Sequence, residues 1–364
     1  MYSWGGTMMG EAQALAVAAQ NEPLAIKQLT AADLARWDRF VAACPEATFF
    51  HHAGWKEVIE QVFHHRACFL YAERMGEICG VLPLAQVNSW LFGNSLASLP
   101  FCVYGGVVAT DAEVQGALEA EAERLAQKCG ADFLEFRNRA QKHADWPQQD
   151  LYVTFRKEIM SVAEDNMLAI PRKQRAMVRK GIKAGLKSEI DTDVERFFVL
   201  YADNAHRHGT PALPKRYFER LKAVFSADCE VMIVVDAQGQ AVSGVMSFYF
   251  RDEVLPYYAG DLLVARELAG NDFKYWELMR RAGVRGLKVF DYGRSKRGTG
   301  SFDFKRNWGF EPRPLHYEYR LYRGDHIPQN NPNNPKFRLF IEAWRCLPKG
   351  VVNWLGPFIV RNLG

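Results

Sequence analysis

The sequence predicts a mixed α/β protein built from two similar halves, each a mixed sheet flanked by helices. Three observations carry that expectation. At 364 residues the chain exceeds what one hydrophobic core usually organises. Residues 71–84 and 235–248 both read as strand, glycine-bearing turn, strand, the pattern of a β-hairpin. The order around each hairpin also recurs. Gly80 answers Gly244, Gly106 answers Gly260 and Arg137 answers Arg294, with a helical stretch before each arginine-bearing strand. A repeat of roughly 160 residues marks an internal duplication. The expected divisions are a disordered leader at 1–21, one unit at 22–161, a second at 162–327 and a linker with an amphipathic tail at 328–364.

Composition limits the function classes. Apolar content of 48% and charged content of 24% are ordinary for a globular chain. A net charge of +4 is too small to imply a nucleic-acid partner by itself, so any basic function must come from local clustering. The seven cysteines are odd in number and form no CxxC pair, which fits reduced thiols in a cytoplasm better than a disulfide framework or zinc site. No metal site is expected: His51, His52, His64 and His65 lack the shaped set of ligands a metal requires. Residues 1–21 have no basic region before their alanine-rich run and make a poor signal peptide. No stretch reaches the roughly 18–20 apolar residues that span a bilayer.

Along the chain, 23–40 reads as strand then helix and 56–63 as a helix. Residues 113–128 form an amphipathic helix, with Val114, Leu118, Ala122 and Leu125 at helical spacing and Cys129-Gly130 as its cap. Residues 99–106, with Tyr104, suit a strand end where one half faces the other; Tyr104 either contacts substrate or packs with its hydroxyl satisfied. The stretch 170–187 opens at Pro171 and carries Arg172, Lys173, Arg175, Arg179, Lys180, Lys183 and Lys187 without one acid. Val178, Ile182 and Leu186 would face the core. Solvated helices usually mix both signs, so this face suits phosphate, with Arg172, Arg175 and Arg179 as anion ligands. Residues 201–218 read as a helix end, a loop at 209–214 and the start of a second helix at 215–225; His206, Arg207 and His208 either cap the helix end or, for Arg207, reach a ligand. Arg266-Glu-Leu-Ala269 before a helix weakly suggests a pyrophosphate loop. The tail begins with a Pro/Asn linker; Phe337, Phe340, Ile341 and Trp344 then share a helical face, and the apolar run 351–360 is expected to pack on the domains or to lie on the inner membrane surface.

The most informative stretch is 288–310. A strand at 288–292 leads to a loop holding Arg294, Lys296, Arg297, Gly298 and Gly300, where cations beside glycines suit an anion. Residues 301–305 alternate, which as a strand would put Phe302 and Phe304 on one side and Asp303 and Lys305 on the other. Lys305 is then the expected catalytic cation on a carbonyl oxygen or a phosphate. Asp303 either accepts an amine proton or pairs with Lys305.

The runs Gly-Arg-Ser-Lys at 293–296, Gly-Ser-Phe-Asp-Phe-Lys at 300–305 and Asn-Trp-Gly-Phe at 307–310 resemble the closing motif of the FemA/FemB/FemX-like aminoacyltransferases. The likeness is strongest to the FemAB-related proteins associated with PEP-CTERM/exosortase systems. The Phe-His…Trp pattern around His51 and the Arg-x-x-Arg…Lys pattern from Arg172 extend it over most of the chain. The resemblance implies two tandem acyl-CoA N-acyltransferase-like (GNAT) domains. It implies transfer of an acyl or aminoacyl group to an amine of a cell-envelope or exopolysaccharide precursor. It places Arg207 and Tyr217 in an acceptor groove, Arg207 on phosphate, and sets Tyr258 against substrate as a catalytic residue; Arg294, Lys296, His51 and Tyr104 join them as substrate contacts. No permanently bound cofactor is expected, and acyl-CoA and aminoacyl-tRNA both stand open as donor. The chain lacks room for the coiled-coil arm of tRNA-using relatives, which counts against tRNA. Two other readings stay open: a noncatalytic polyanion- or polysaccharide-binding module on a degenerate GNAT pair, and an ordinary acyl-CoA-dependent N-acetyltransferase.

Overall fold

The structure is a computed structural model and describes residues 23–89, 93–327 and 335–362. The leader expected at 1–21 and most of the linker after 328 lie outside the described residues. The first half opens with β1 (Ala25–Gln28), α1 (Leu34–Ala43) and α2 (Gly54–Val58), which a π turn extends through Phe63. Strands β2 (Arg66–Ala67), β3 (Leu70–Arg74), β4 (Glu77–Leu82), β5 (Leu84–Ser89), β6 (Gly93–Ser98) and β7 (Val108–Ala109) follow. Then come α3 (Ala112–Lys128), β8 (Phe133–Asn138), β9 (Gln148–Gln149) and β10 (Tyr152–Glu158). Asp111 caps α3 by accepting from the Val114 N–H, and Gly130 closes it at φ +64°.

The second half begins with α4 (Ala163–Ala169), the basic α5 (Arg172–Lys183), β11 (Lys187–Asp191), α6 (Glu195–Arg207) and α7 (Lys215–Phe225). Strands β12 (Cys229–Val235), β13 (Ala241–Phe250) and β14 (Glu253–Asp261) form the meander. After them come α8 (Val264–Glu267), α9 (Gly270–Val284), β15 (Val289–Lys296), α10 (Gly300–Asn307), β16 (Pro312–Pro314) and β17 (His316–Leu321). The tail is α11 (Pro335–Cys346) and α12 (Lys349–Val360).

The hairpins read from sequence are β3–β4 and β12–β13, each carrying a bulge. In the first half β4 runs on into β5 across Pro83, so one stretch of chain serves two sheets: β1-β3-β4-β7 and β2-β5-β6-β8-β17-β9. The second half is one sheet, β11-β12-β13-β14-β15-β10-β16. Parallel pairing joins β6 to β8 over Ser95–Ala97, and β14 to β15 only at Glu253 and Val254. Beyond those residues each pair parts, leaving a gap at corresponding places in the two halves.

Strand pairing crosses the expected boundary at 162. β10, from before it, lies between β15 and β16 in the second sheet, and β17, from after 162, pairs with β8 in the first. The halves thus exchange their closing strands, and no single cut separates them. Rings fill the seam: Phe49 stacks on Phe248 at 4.3 Å, and Phe63 stacks on Phe101 at 3.9 Å while lying 5.2 Å from Tyr217. Burying large aromatic faces across the seam is a strong apolar term that binds the halves together.

Three local expectations change. Residues 301–305 are helical, because the Thr299 hydroxyl accepts from the Phe302 N–H and starts α10. β15 runs on to Lys296 where a loop was expected after 292, since β10 supplies a partner as far as Tyr152. On α5, Val178 is buried but Ile182 is 48% exposed; the inward position is Gly181, where an added Cβ would lie 2.8 Å from that of Phe273 on α9. The tail packs on the second half, with Trp344, Val352 and Val360 buried.

Candidate active site

The site is built along the middle of β15. Asp291, with a fully buried carboxylate, receives the Gly293 N–H at 2.7 Å, the Tyr104 hydroxyl at 3.1 Å and the Arg156 guanidinium. Thr154 completes the group, 2.7 Å from the Tyr104 hydroxyl. A buried carboxylate is tolerable only when its lone pairs are filled in this way. The network ties the first half (Tyr104) to the exchanged strand β10 (Thr154, Arg156) and to β15. It also shapes the backbone, since Gly293 sits at φ +63° and the β10–β15 register shifts between Thr154 and Arg156.

Lys305 enters from α10 beneath that bend. Its Nζ donates to the carbonyls of Tyr292 at 2.8 Å, and of Gly293 and Arg294 at 3.2 Å each. The rings of Phe155 and Tyr292 flank it at 5.7 and 5.6 Å. Burial lowers its pKa to about 7, against the opposing pull of Asp291; Arg294 adds a smaller push in the same direction as burial. A neutral amine donates twice and an ammonium three times, so the three carbonyls favour the charged form that burial disfavours.

Arg294 lies over the Tyr152 ring at 4.5 Å and donates to the Tyr317 hydroxyl at 3.3 Å. Lys296 stands over the same Tyr152 ring at 5.5 Å. Across the gap, β14 bulges: Met246 pairs with Tyr258 and Ser247 with Pro256, so Tyr257 is skipped. An added Cβ at Gly293 would come within 4.0 Å of the Tyr257 ring, which places β14 and β15 face to face there. Tyr258 and Tyr217 share a hydroxyl hydrogen bond of 2.7 Å, and burial raises the pKa of both.

Other expected site residues lie elsewhere. Asp303 is exposed and pairs with Arg306 at 3.0 Å; two residues along a helix point to opposite sides, so it does not pair with Lys305. Arg207 closes α6, bonded to Asp203 at 2.8 Å and to the Asp261 carbonyl. His51 is buried and neutral, its pKa lowered by burial to about 4, and both ring nitrogens are engaged, with the Thr48 N–H and the Gly106 carbonyl. His51 and Tyr104 border a separate cavity of about 450 Å³ in the gap of the first half, walled by Gly105, Gly106, Arg139 and Lys142. Arg139 lies over the Tyr104 ring at 5.5 Å. On α5, Arg172 and Arg179 are exposed without an acid partner among the described residues, and Arg175 bonds the Ile170 carbonyl at 3.3 Å.

Sequence reasoning missed Asp291, Thr154, Tyr152, Tyr257, Tyr317 and Arg139. A signal existed for Asp291, an acid inside the apolar strand Val-Phe-Asp-Tyr. The others depend on the strand exchange and the bulge.

Acyl-CoA, which this fold suggests, would place its pyrophosphate at the start of α9. Ala269 and Gly270 are buried there, α5 lies against Phe273 and the Ala269 carbonyl, and the first turn carries the Asp272 carboxylate. That turn does not fit a pyrophosphate.

Residues 172–306 match the family model for the acetyltransferase (GNAT) domain. A stretch of 95 residues is 26% identical to the UDP-N-acetylmuramoylpentapeptide-lysine N(6)-alanyltransferase of Weissella viridescens, covering 25% of this chain and 28% of that protein. Among solved structures, that of FemX aligns over 81% of this chain and 97% of its own, with TM-score 0.61 and 15% identity. A tandem GNAT protein from the clavulanic acid biosynthesis pathway aligns over 84% of this chain and all of its own, with TM-score 0.53 and 12% identity. The structural matches show the fold, two GNAT-like units in tandem, and residues 172–306 carry the likeness to the acetyltransferase (GNAT) domain. The sequence likeness is to a protein named as an alanyltransferase and spans about a quarter of its length.

Proposed function

We propose that the chain transfers an aminoacyl group from aminoacyl-tRNA to an amine of a cell-envelope or exopolysaccharide precursor, as expected for a FemAB-related protein of the PEP-CTERM/exosortase-associated type. The observation that carries this reading is the buried Lys305 amine, held by mid-strand carbonyls of β15 just beyond the residues that pair with β14. In the reaction the acceptor nitrogen bonds to the acyl carbon and the ester C–O bond breaks. The amine proton ends on the leaving oxygen. Negative charge grows on the acyl oxygen as nitrogen attacks, and a fixed donor there lowers the barrier. Lys305 supplies that donor by exchanging one of its two 3.2 Å carbonyl contacts for the acyl oxygen. Arg294 and Lys296 hold anionic parts of the reactants, and the Tyr217–Tyr258 pair orients the acceptor. An anionic part of the acceptor lies in the first-half cavity against Arg139 and Lys142.

Two observations favour aminoacyl-tRNA over acyl-CoA: the buried, acid-bearing start of α9 and the cations of α5, which have no acid partner among the described residues and whose Arg172, Arg175 and Arg179 would meet phosphates. The test is transfer to an amine-bearing envelope precursor from a mixture of charged tRNAs, run beside acetyl-CoA. Product from charged tRNA alone supports the reading. Product from acetyl-CoA alone replaces the donor, and binding of both without product would leave the chain a noncatalytic polyanion-binding module.

A further inference from the structure

The tail has two faces. On α12, Val352, Gly356 and Val360 are buried, and an added Cβ at Gly356 would lie 3.1 Å from the Ala212 carbonyl. His65 bonds the Arg361 carbonyl at 2.6 Å and Lys349 bonds Asp203 at 2.7 Å, so the helix is fixed to the body at both ends. The opposite face shows Val351, Trp354 and Phe358 to solvent, with Trp354 68% exposed and its ring 5.9 Å from that of Phe358. These three lie at i, i+3 and i+7 and form one stripe. Between Gly350 and Val360 the helix has no charged residue.

Charge singles out the same segment. The chain has 46 Lys and Arg against 42 Asp and Glu, a net of +4. Residues 335–364 hold Lys336, Arg338, Arg345, Lys349 and Arg361 against Glu342 alone, which is also +4. The tail therefore accounts for the whole excess, and the remainder of the chain balances.

We infer that α12 is an in-plane docking surface for an anionic lipid bilayer. Its 12 residues are too short to cross, and no helix among the described residues is long and apolar enough to do so. One face already rests on protein, so the other can sink only as far as the headgroup and acyl boundary, where tryptophan is favoured. Arg361, and Lys349 whose side chain stays 67% exposed beside Asp203, would meet anionic headgroups. A second copy of the chain fits poorly, because pairing this face with itself would set the same cations against each other.

The test is flotation of the full chain with vesicles of phosphatidylglycerol and phosphatidylcholine in equal parts, and with phosphatidylcholine alone. Binding is expected to the anionic vesicles and to weaken with salt. The double variant W354E/F358E, altered only at exposed positions and checked by its melting curve, should bind at least about tenfold less. If the wild type stays unbound, or the double variant binds equally, the inference fails. A concentration-dependent dimer that the double variant abolishes, without vesicle binding, would assign the face to self-association instead. Transfer to a water-soluble acceptor reads the proposed reaction separately and should be unchanged in the variant.

Discussion

The two gaps follow one plan and are filled differently. In the first half β6 and β8 part after Ala97 and Glu135, and the space stays open as a cavity walled by Gly105 and Gly106. In the second half β14 and β15 part sooner, with the Tyr257 ring within 4.0 Å of a Cβ added at Gly293 and Lys305 on the carbonyls of Tyr292, Gly293 and Arg294. Arg137 and Arg294 occupy matching places, and both flank the ring of Tyr317, at 5.5 and 5.8 Å. Arg137 is paired with Glu135 at 2.7 Å; Arg294 has no acid partner among the described residues. After β8 the chain forms a loop pinned by the buried Glu318, which accepts from Asn138 and from the Lys142 and His143 N–H groups. After β15 it forms α10 and inserts a lysine. The buried Arg137 of the first half is thus neutralised by an acid, whereas the second half, which pairs Lys274 with Asp261, leaves Arg294 and Lys305 without an acid partner among the described residues. Uncompensated buried charge costs stability, which makes its position on β15 and α10 the candidate site.

Lys305→Ala should show the largest difference between the halves. Loss of a donor to a developing oxyanion typically costs a factor of about 10² to 10³ in turnover. Single-turnover transfer with a folded variant measures it. Arg137→Ala, at the matching place of the first half, is expected to lower the melting temperature with turnover per folded molecule little changed. Equal losses of turnover in the two variants would erase the distinction.

The next effect is on folding. Asp291→Ala strips partners from Tyr104, Thr154, Arg156 and the Gly293 N–H together. Breaking a buried charged network generally destabilises by about 3–5 kcal/mol. Arg156 keeps Glu253, so the low end of that range is expected in urea unfolding. A change near zero would mean that Asp291 does not join the halves.

Lys305 also sets a pH dependence. Its folded pKa is lowered to about 7, while the unfolded chain keeps the ordinary value near 10.5. Between those values the unfolded state binds the extra proton, so this group makes stability rise with pH. The gap in melting temperature between wild type and Lys305→Met should therefore move in favour of wild type from pH 7 to pH 9. A gap independent of pH would mean that Lys305 keeps its usual pKa. Turnover should fall as pH passes about 7 if the ammonium is the acting form.

Much of the fold was legible because hairpins and amphipathic helices are written locally. Gly80 and Gly244 mark equivalent strands, the limits of α3 follow spacing and its Asp111 and Gly130 ends, and α7 starts after Pro214. The strand exchange was not legible, since nothing in Tyr152–Glu158 or His316–Leu321 says which sheet takes the strand. The site was half legible. Lys305 stood out by composition, but a local strand reading put Asp303 beside it, whereas the Thr299 cap makes the segment helical. Arg207 was visible as a cation, yet its partners Asp203 and the Asp261 carbonyl are brought together by tertiary packing. Tyr317 reaches the site from some 180 residues beyond its partner β8, a distance at which pattern carries no information.

The smallest expected effect tests whether the open gap serves the crowded one. Arg139 is exposed, has no acid partner among the described residues and touches the site only through the Tyr104 ring. Truncating it should leave the fold intact, because exposed cations contribute little to stability. If the cavity holds an anionic part of the acceptor, Arg139→Ala removes binding that ground and transition states share. KM for the acceptor then rises roughly three- to tenfold with kcat unchanged. Arg139→Lys keeps the charge but loses the planar contact with Tyr104, so it should recover only part of the loss. If KM does not move and kcat falls, Arg139 acts through Tyr104 and Asp291 on β15, and the first-half cavity is not where the acceptor binds.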